Sequence, residues 1–336
     1  MPPVTKKFLS VLNGLAQNPP PFWFMRQAGR YLPEYMKVRN DAGSFMKLCM
    51  NPEAAAEVTL QPIRRFGMDA AIIFADILLI PYALGIELNF VQNEGPKLGA
   101  YDIEKLNYDD SKLSPVYEAL KLVSSKLPPE TALIGFAGSP WTVATYMVER
   151  SSSRDFAKTK RLALQNPKEF AKLIDAIVGA SILYLKQQIK SGAEVIQLFD
   201  SWAGELQEDE FEKWVIEPTA KICSGLKAEF PDVKIIGFPR KAGAMLPAYA
   251  NKAGVDAISL DSCVPLSWAK NNINLPLQGN LDPQILLCDQ ETLGKHANNI
   301  LKAMKGHPFI FNLGHGITPL TPPENIEFLS KLIKNS

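Results

Sequence analysis

What most limits the fold of this chain is a pattern that recurs eight times: a short, nearly uninterrupted apolar run closed by a polar residue or a Gly/Pro turn. The runs fall at residues 22–25, 70–75, 132–137, 194–199, 233–238, 255–260, 276–280 and 309–313. Near-continuous apolar runs of this length read as strands covered on both faces. Between them lie amphipathic helical stretches, clearest at 52–66, 167–191, 208–230, 290–305 and 323–334. Alternating strand and helix implies parallel pairing. Eight such units without an intervening linker predict one closed (β/α)8 TIM barrel rather than an open doubly wound sheet. No G-x-G-x-x-G opens a helix after an early strand, which argues against dinucleotide binding. The chain reads as a single domain over 1–336, with an N-terminal helical extension at about 1–18. There Phe8, Leu9, Leu12 and Leu15 have helical spacing and pack across the bottom of the fold. The interval 88–115 is long, rich in Gly, Asn and Asp, and is expected to hold a small hairpin over the barrel mouth. Residues 141–155 have lid-like length, with a mobile Ser151-Ser-Ser153.

A barrel of this kind keeps its chemistry at the C-terminal strand ends, so the closing residues are the site candidates. The first strand runs into Arg26-Gln-Ala-Gly-Arg30 and then a Tyr31-Leu-Pro-Glu34 turn. Two arginines four apart at a strand mouth make a clamp for carboxylate or phosphate, since each guanidinium is a planar fork of donors. The alternative is a pair of structural ion pairs. Asp76 ends a strand of wholly apolar neighbours, where an ionised carboxylate needs strong partners. It is either an acceptor for several N–H donors and a counter-charge to a cationic intermediate, or the salt-bridge partner of Arg26 or Arg30. Tyr146 falls on a helix just beyond the third strand, where packing with one satisfied hydroxyl is an equal reading. Ser201 suits either a ligand hydrogen bond or a helix cap, and Trp202 shares the ambiguity. His315 sits between glycines in Asn312-Leu-Gly-His-Gly316, which frees the backbone to bring the ring close to a ligand. His296 and His307 read as surface residues.

Composition excludes several classes. The net charge of +1 offers no broad basic field for nucleic acid or an anionic membrane. An anionic ligand must therefore be met by local arginines. The most apolar window, 70–86, is broken by Asp76 and Pro81 and falls short of a bilayer span. The N-terminus lacks a signal-peptide apolar region. Cysteines at 49, 223, 263 and 288 are scattered, without C-x-x-C, and only three histidines are present, so neither a disulfide framework nor a metal site is expected. A G-x-S-x-G elbow and a phosphate loop are both missing. The inventory suits a polyanionic substrate and acid–base chemistry.

These residues resemble a known family. Met25-Arg-Gln-Ala-Gly-Arg-Tyr-Leu-Pro-Glu34 looks like the N-terminal signature of the uroporphyrinogen decarboxylases, and Gly135-Phe-Ala-Gly-Ser-Pro-Trp-Thr142 with Thr145-Tyr-Met-Val-Glu149 like their second. Phe74-Ala-Asp-Ile-Leu78, Leu198-Phe-Asp-Ser201, Leu277-Gln-Gly-Asn-Leu-Asp-Pro283 and Asn312-Leu-Gly-His-Gly316 match in order, from about Phe8 onward. The resemblance implies a cytoplasmic, cofactor-free, homodimeric barrel of haem and other tetrapyrrole synthesis. Its substrate would be uroporphyrinogen III, whose four acetate side chains become methyls to give coproporphyrinogen III. Carried onto matching positions, the resemblance makes Asp76, Arg26 and Tyr146 the catalytic set. Asp76 would accept from the pyrrole N–H groups. Arg26 and Arg30, with Arg39 a further contact, would hold carboxylates, and Tyr146, Ser201 and His315 would position the side chains. Arg240 and Lys241 match no functional residue of the family. The rival of the same fold is the corrinoid-dependent methyltransferases, which bind zinc through His-x-Cys and a further Cys. Here Phe238-Pro-Arg240 stands at that strand end and Cys263 has no His two residues away. A non-catalytic tetrapyrrole carrier is the rival of another class; it would keep the arginines but has no need of Asp76.

Overall fold

A computed structural model describes residues 6–91 and 94–336. Among the described residues nine strands form: β1 (Ala70–Ile72), β2 (Leu88–Val91), β3 (Gly95–Leu98), β4 (Ala132–Gly138), β5 (Val195–Asp200), β6 (Lys234–Pro239), β7 (Ala257–Ser259), β8 (Leu277–Leu281) and β9 (Phe309–Leu313). Seven of them make one parallel sheet in the order β1-β4-β5-β6-β7-β8-β9, each step crossing through helices. The eighth position belongs to the first apolar run, and here the expectation needs correcting. Phe22 makes a single parallel bridge to Phe311 rather than a four-residue strand. Its neighbours still close the ring: Phe311 N–H donates to Pro21 O (2.9 Å), and Asp69 N–H on the other side donates to Phe22 O (2.9 Å). The run is short because the chain turns sharply at Arg26, whose φ is 61°. The second strand is also shorter than its apolar run, since the chain leaves the sheet towards Asp76.

The helix Pro52–Phe66 shows why the helices begin and end where the sequence says. Asn51 Oδ1 accepts from Ala54 N–H at the start, and Gly67 adopts a left-handed conformation at the end. The long stretch after β5 contains one irregularity, a π-helical turn at Glu212–Ile216 directly before Pro218, which has no N–H to donate. In the interval 88–115, β2 and β3 pair as the expected antiparallel hairpin; the tip residues 92 and 93 lie outside the described residues.

Inside the ring a small apolar cluster fills the barrel, built from alternate residues of the strands such as Trp23, Ala132, Ile134, Val195, Ile236 and Ile310. Phe8, Val11 and Leu12 of the helix Lys7–Leu12 belong to the same cluster and are essentially buried. The N-terminal helix therefore stoppers the barrel at its N-terminal end, but it stops at Leu12, and Leu15, expected to pack there as well, lies beyond the helix and is exposed. Lys6 fixes the helix there, donating to Thr131 O and pairing with Glu194 at 2.6 Å. Half-way up, Gln278 accepts from Trp23 Nε1–H (2.8 Å) and donates to Ser259 and Gln197, while Gln197 Nε2 has no partner among the described residues.

Candidate active site

Above that plug the mouth is walled by aromatics. Phe136 on β4, Phe199 on β5 and Phe238 on β6 meet edge to face, with centroids 5.6 and 6.2 Å apart, and His315 lies 6.5 Å beyond Phe238. Each phenylalanine sits at the last or next-to-last inward position of its strand, a signal the apolar runs carried without advertising a site. Gln188 on the helix Pro167–Lys190 grips the Phe136 backbone from outside, accepting its N–H and donating to its carbonyl, both at 2.9 Å.

Arg26 enters this mouth from the closing segment. A non-glycine residue at positive φ costs about 1–2 kcal/mol, a strain found where a side chain must be aimed. The surrounding backbone holds it: Gln27 N–H returns to Phe24 O, and Ile317 N–H donates to Met25 O (both 2.9 Å). Gly316 matters for the same reason, because a Cβ there would run into the Arg26 Cγ and Cδ. Burial pulls the Arg26 pKa below the usual arginine range. The Tyr146 and Asp76 sides of the mouth oppose that, and the charges of Arg30 and Arg240 add to it.

Asp76 follows β1. Its Oδ1 accepts the Leu78 N–H at 2.8 Å, which turns the chain into the short helix Leu79–Ala83. Burial pushes its carboxyl up to about 6, with the Leu78 N–H and the nearby Arg26 charge pulling the other way. The salt bridge to Arg26 or Arg30 weighed from sequence does not form: among the described residues Asp76 has no ion-pair partner. Its neighbour Phe74 is set by Thr59, whose Oγ1 accepts the Phe74 N–H at 3.0 Å.

Tyr146 lies on the helix Pro140–Glu149, and this corrects the lid reading of residues 141–155. Trp141, Thr142 and Thr145 are buried, so most of that segment is core helix rather than a cover. A latch joins the helix to the turn after β5. Thr142 Oγ1 donates to the buried Asp200 carboxylate (2.5 Å) and accepts from Trp202 N–H (3.2 Å), while Trp141 Nε1–H donates to Trp202 O (3.0 Å). Trp202 in turn stands 6.2 Å from the Tyr146 ring. Ser201 lies between Asp200 and Trp202 in the turn after β5. Burial raises the Tyr146 hydroxyl, and the Asp76 charge raises it further. The Asp200 Oδ2 has no partner among the described residues, and burial pushes that carboxyl up to about 7.

His315 is held neutral. Burial lowers its pKa to about 3, and the charges of Arg26 and Arg240 add to the effect. Arg30 stands near enough for its charge to act on Arg26. Arg39 is set apart: it donates to Tyr35 OH (3.3 Å) and lies over Phe45, whose ring packs on Phe74. Thus Arg26, Asp76, Tyr146 and His315 converge, Arg30 stands beside Arg26, Ser201 stays in the turn after β5, and Arg39 joins only through the aromatic stack behind Asp76. Of the other histidines, His296 is exposed as expected, but His307 is half-buried with a partnerless Nε2. Beside the mouth, between the β6 and β7 ends, lies a cavity of about 400 Å³ lined by Lys241, Asp261, Cys263 and Trp268 among others. Among the described residues no three His, Cys, Asp or Glu side chains gather as a metal-binding group, and no helix is long and apolar enough to cross a membrane.

A parallel barrel with its polar and charged side chains gathered at the C-terminal strand ends defines the class, a TIM-barrel enzyme. A model of the family described as uroporphyrinogen decarboxylase (URO-D) matches residues 4–336. The uroporphyrinogen decarboxylase of Jannaschia sp. is 49% identical over 98% of this chain and 99% of that protein. The one from Sphingopyxis alaskensis is 50% identical over 98% of both. Among solved structures, a methyltransferase from Methanosarcina mazei superposes with a TM-score of 0.79 over 98% of this chain and 97% of its own, at 20% identity, a likeness of fold. The chain belongs to the uroporphyrinogen decarboxylase family and is an enzyme of its kind, a carboxy-lyase.

Proposed function

We propose that the mouth removes CO2 from the four acetate side chains of uroporphyrinogen III, leaving methyls, with Asp76, Arg26 and Tyr146 as the catalytic groups. The observation that carries this assignment is Asp76, an enclosed carboxylate without an ion-pair partner, set among arginines. A pyrrole acetate parts with CO2 once the ring carbon is protonated, because the cationic ring then accepts the electron pair of the breaking C–C bond. Protonation of the resulting methylene gives the methyl, and loss of the ring proton restores the pyrrole. An ionised Asp76 beside the cationic ring favours that intermediate by about 4 kcal/mol, for charges roughly 4 Å apart at an effective dielectric near 20. The same carboxylate is an acceptor for pyrrole N–H groups. Arg26 and Arg30 hold acetate and propionate carboxylates, Arg39 receives a side chain at the edge, and Tyr146, Ser201 and neutral His315 orient the rest by hydrogen bonds. The aromatic wall covers the macrocycle's apolar flank. The family likeness supports a cytoplasmic homodimer, which light scattering of the purified protein checks.

The test is anaerobic incubation of the purified protein with uroporphyrinogen III, without added metal or cofactor, resolving the oxidised products by carboxyl count. A ladder descending to the tetracarboxylate is the expected outcome. Bound substrate that keeps all its carboxyls would make the chain a carrier instead.

A further inference from the structure

The Arg240-Lys241 pair after β6 is split by the fold into two different residues. Along β6, Ile236 and Phe238 belong to the barrel interior, and a strand places every second side chain on one face. Arg240, the next in that series, continues it into the mouth just above Phe238. Its backbone is pinned on both sides: its N–H donates to Asp200 O and its carbonyl accepts from Gly204 N–H, both at 3.0 Å. The approach of that turn is so close that a Cβ on Gly204 would collide with the Lys241 backbone. Half-buried Arg240 has no acidic partner among the described residues. Its charge reaches both Arg26 and His315 across the opening. Lys241, by contrast, is exposed and lies 3.8 Å from Glu205. It lines the cavity beside the mouth, and its N–H is bonded to Asp261.

A half-buried guanidinium without a counter-ion, facing two other cationic or polar anion-binding groups, is costly unless an anion arrives. We infer that Arg240 is a substrate-binding residue that takes a carboxylate of the macrocycle on the β6 side of the mouth, opposite the Arg26–Arg30 clamp. This rests on the decarboxylase reading above and extends it. The mouth then grips the polycarboxylate from two sides, so the ring's orientation over Asp76 depends on both. Arginine rather than lysine suits the role because its rigid fork meets a carboxylate with two parallel bonds.

The experiment compares wild type, Arg240→Gln, Arg240→Lys and Lys241→Gln for uroporphyrinogen III turnover, together with the NMR titration of His315. Loss of a charge-assisted hydrogen bond predicts a KM about tenfold or more higher in Arg240→Gln, with a smaller change in kcat. Arg240→Lys recovers part of it and Lys241→Gln stays at the wild-type value. His315 takes up its proton at higher pH in Arg240→Gln, a readout that needs no turnover. A KM within twofold of wild type in Arg240→Gln, or an equal rise in Lys241→Gln, overturns the inference, as does an unmoved His315. Should wild type itself release no CO2, the decarboxylase reading fails. The His315 shift and weaker binding of the octacarboxylate by Arg240→Gln then still decide the role of Arg240.

Discussion

In its proposed role, the Asp76 carboxyl governs the acid limb of the pH profile. With its pKa pushed up to about 6, Asp76 is ionised above that pH and protonated below it. The kcat/KM profile should therefore fall on the acid side through about pH 6, and that limb should vanish in Asp76→Asn. The substitution is nearly isosteric, so substrate binding is expected to survive. Turnover should drop roughly 100- to 1000-fold, in line with the loss of about 4 kcal/mol of charge stabilisation. Measuring Kd and kcat separately checks it, and unchanged turnover would sink the assigned role. At the neighbouring strand end, Gly316→Ala should fold normally yet lose activity, because its methyl occupies the space of the Arg26 side chain. Equal kcat and KM in that variant would mean that Arg26 has room to aim elsewhere.

The Thr142–Asp200 latch joins the helix that carries Tyr146 to the turn after β5. Thr142→Val removes the donor to Asp200 and the acceptor of Trp202 N–H while keeping volume. It is expected to cost about 1–3 kcal/mol in denaturant unfolding, since Asp200 then has a second unpaired oxygen. Asp200 itself gives a signature in pH. Its folded pKa of about 7 lies well above the ordinary aspartate value, so between the two the unfolded chain has lost its proton and the folded chain has kept it. Stability must then fall as pH rises through about 7. A Tm series from pH 5 to 8 should show that slope up to about pH 7, and a levelling above it, in the difference between wild type and Asp200→Asn, from which the contributions of Asp76 and His315 cancel. Identical slopes would place the titration elsewhere. None of this latch was legible in the sequence, because Thr142 and Asp200 are distant along the chain and each alone reads as a strand-end or helix residue. The pattern of apolar runs did reveal the sheet order and the positions of Arg26, Asp76, Tyr146 and His315, since a strand end is a local feature. Arg240 was visible yet unassignable: a shift of one residue in register exchanges it with Lys241 between the mouth and the outside. Gly316 read as backbone freedom for His315, not as room for Arg26, because the side chain it makes way for belongs to the other end of the chain.

At the scale of the whole molecule, closure depends on both termini of the sequence. The Phe22 segment seals the ring between β9 and β1, and Phe8 with Val11 and Leu12 fills its base. Phe8→Ala should destabilise the fold by about 3–5 kcal/mol, measured by denaturant unfolding, because it empties a fully buried ring's volume where strands from all sides meet. A loss below 1 kcal/mol would mean that the base of the barrel collapses around the gap. The stoppered base also bears on how the enzyme handles its cargo. With the far end shut, traffic through this barrel has a single doorway, and only one Asp76 waits behind it. Four acetates spaced around a ring must therefore visit the same address in turn. If Asp76 acts as proposed, the macrocycle has to turn between events, and each exit is a chance for a half-finished molecule to drift away and meet a different copy of the enzyme.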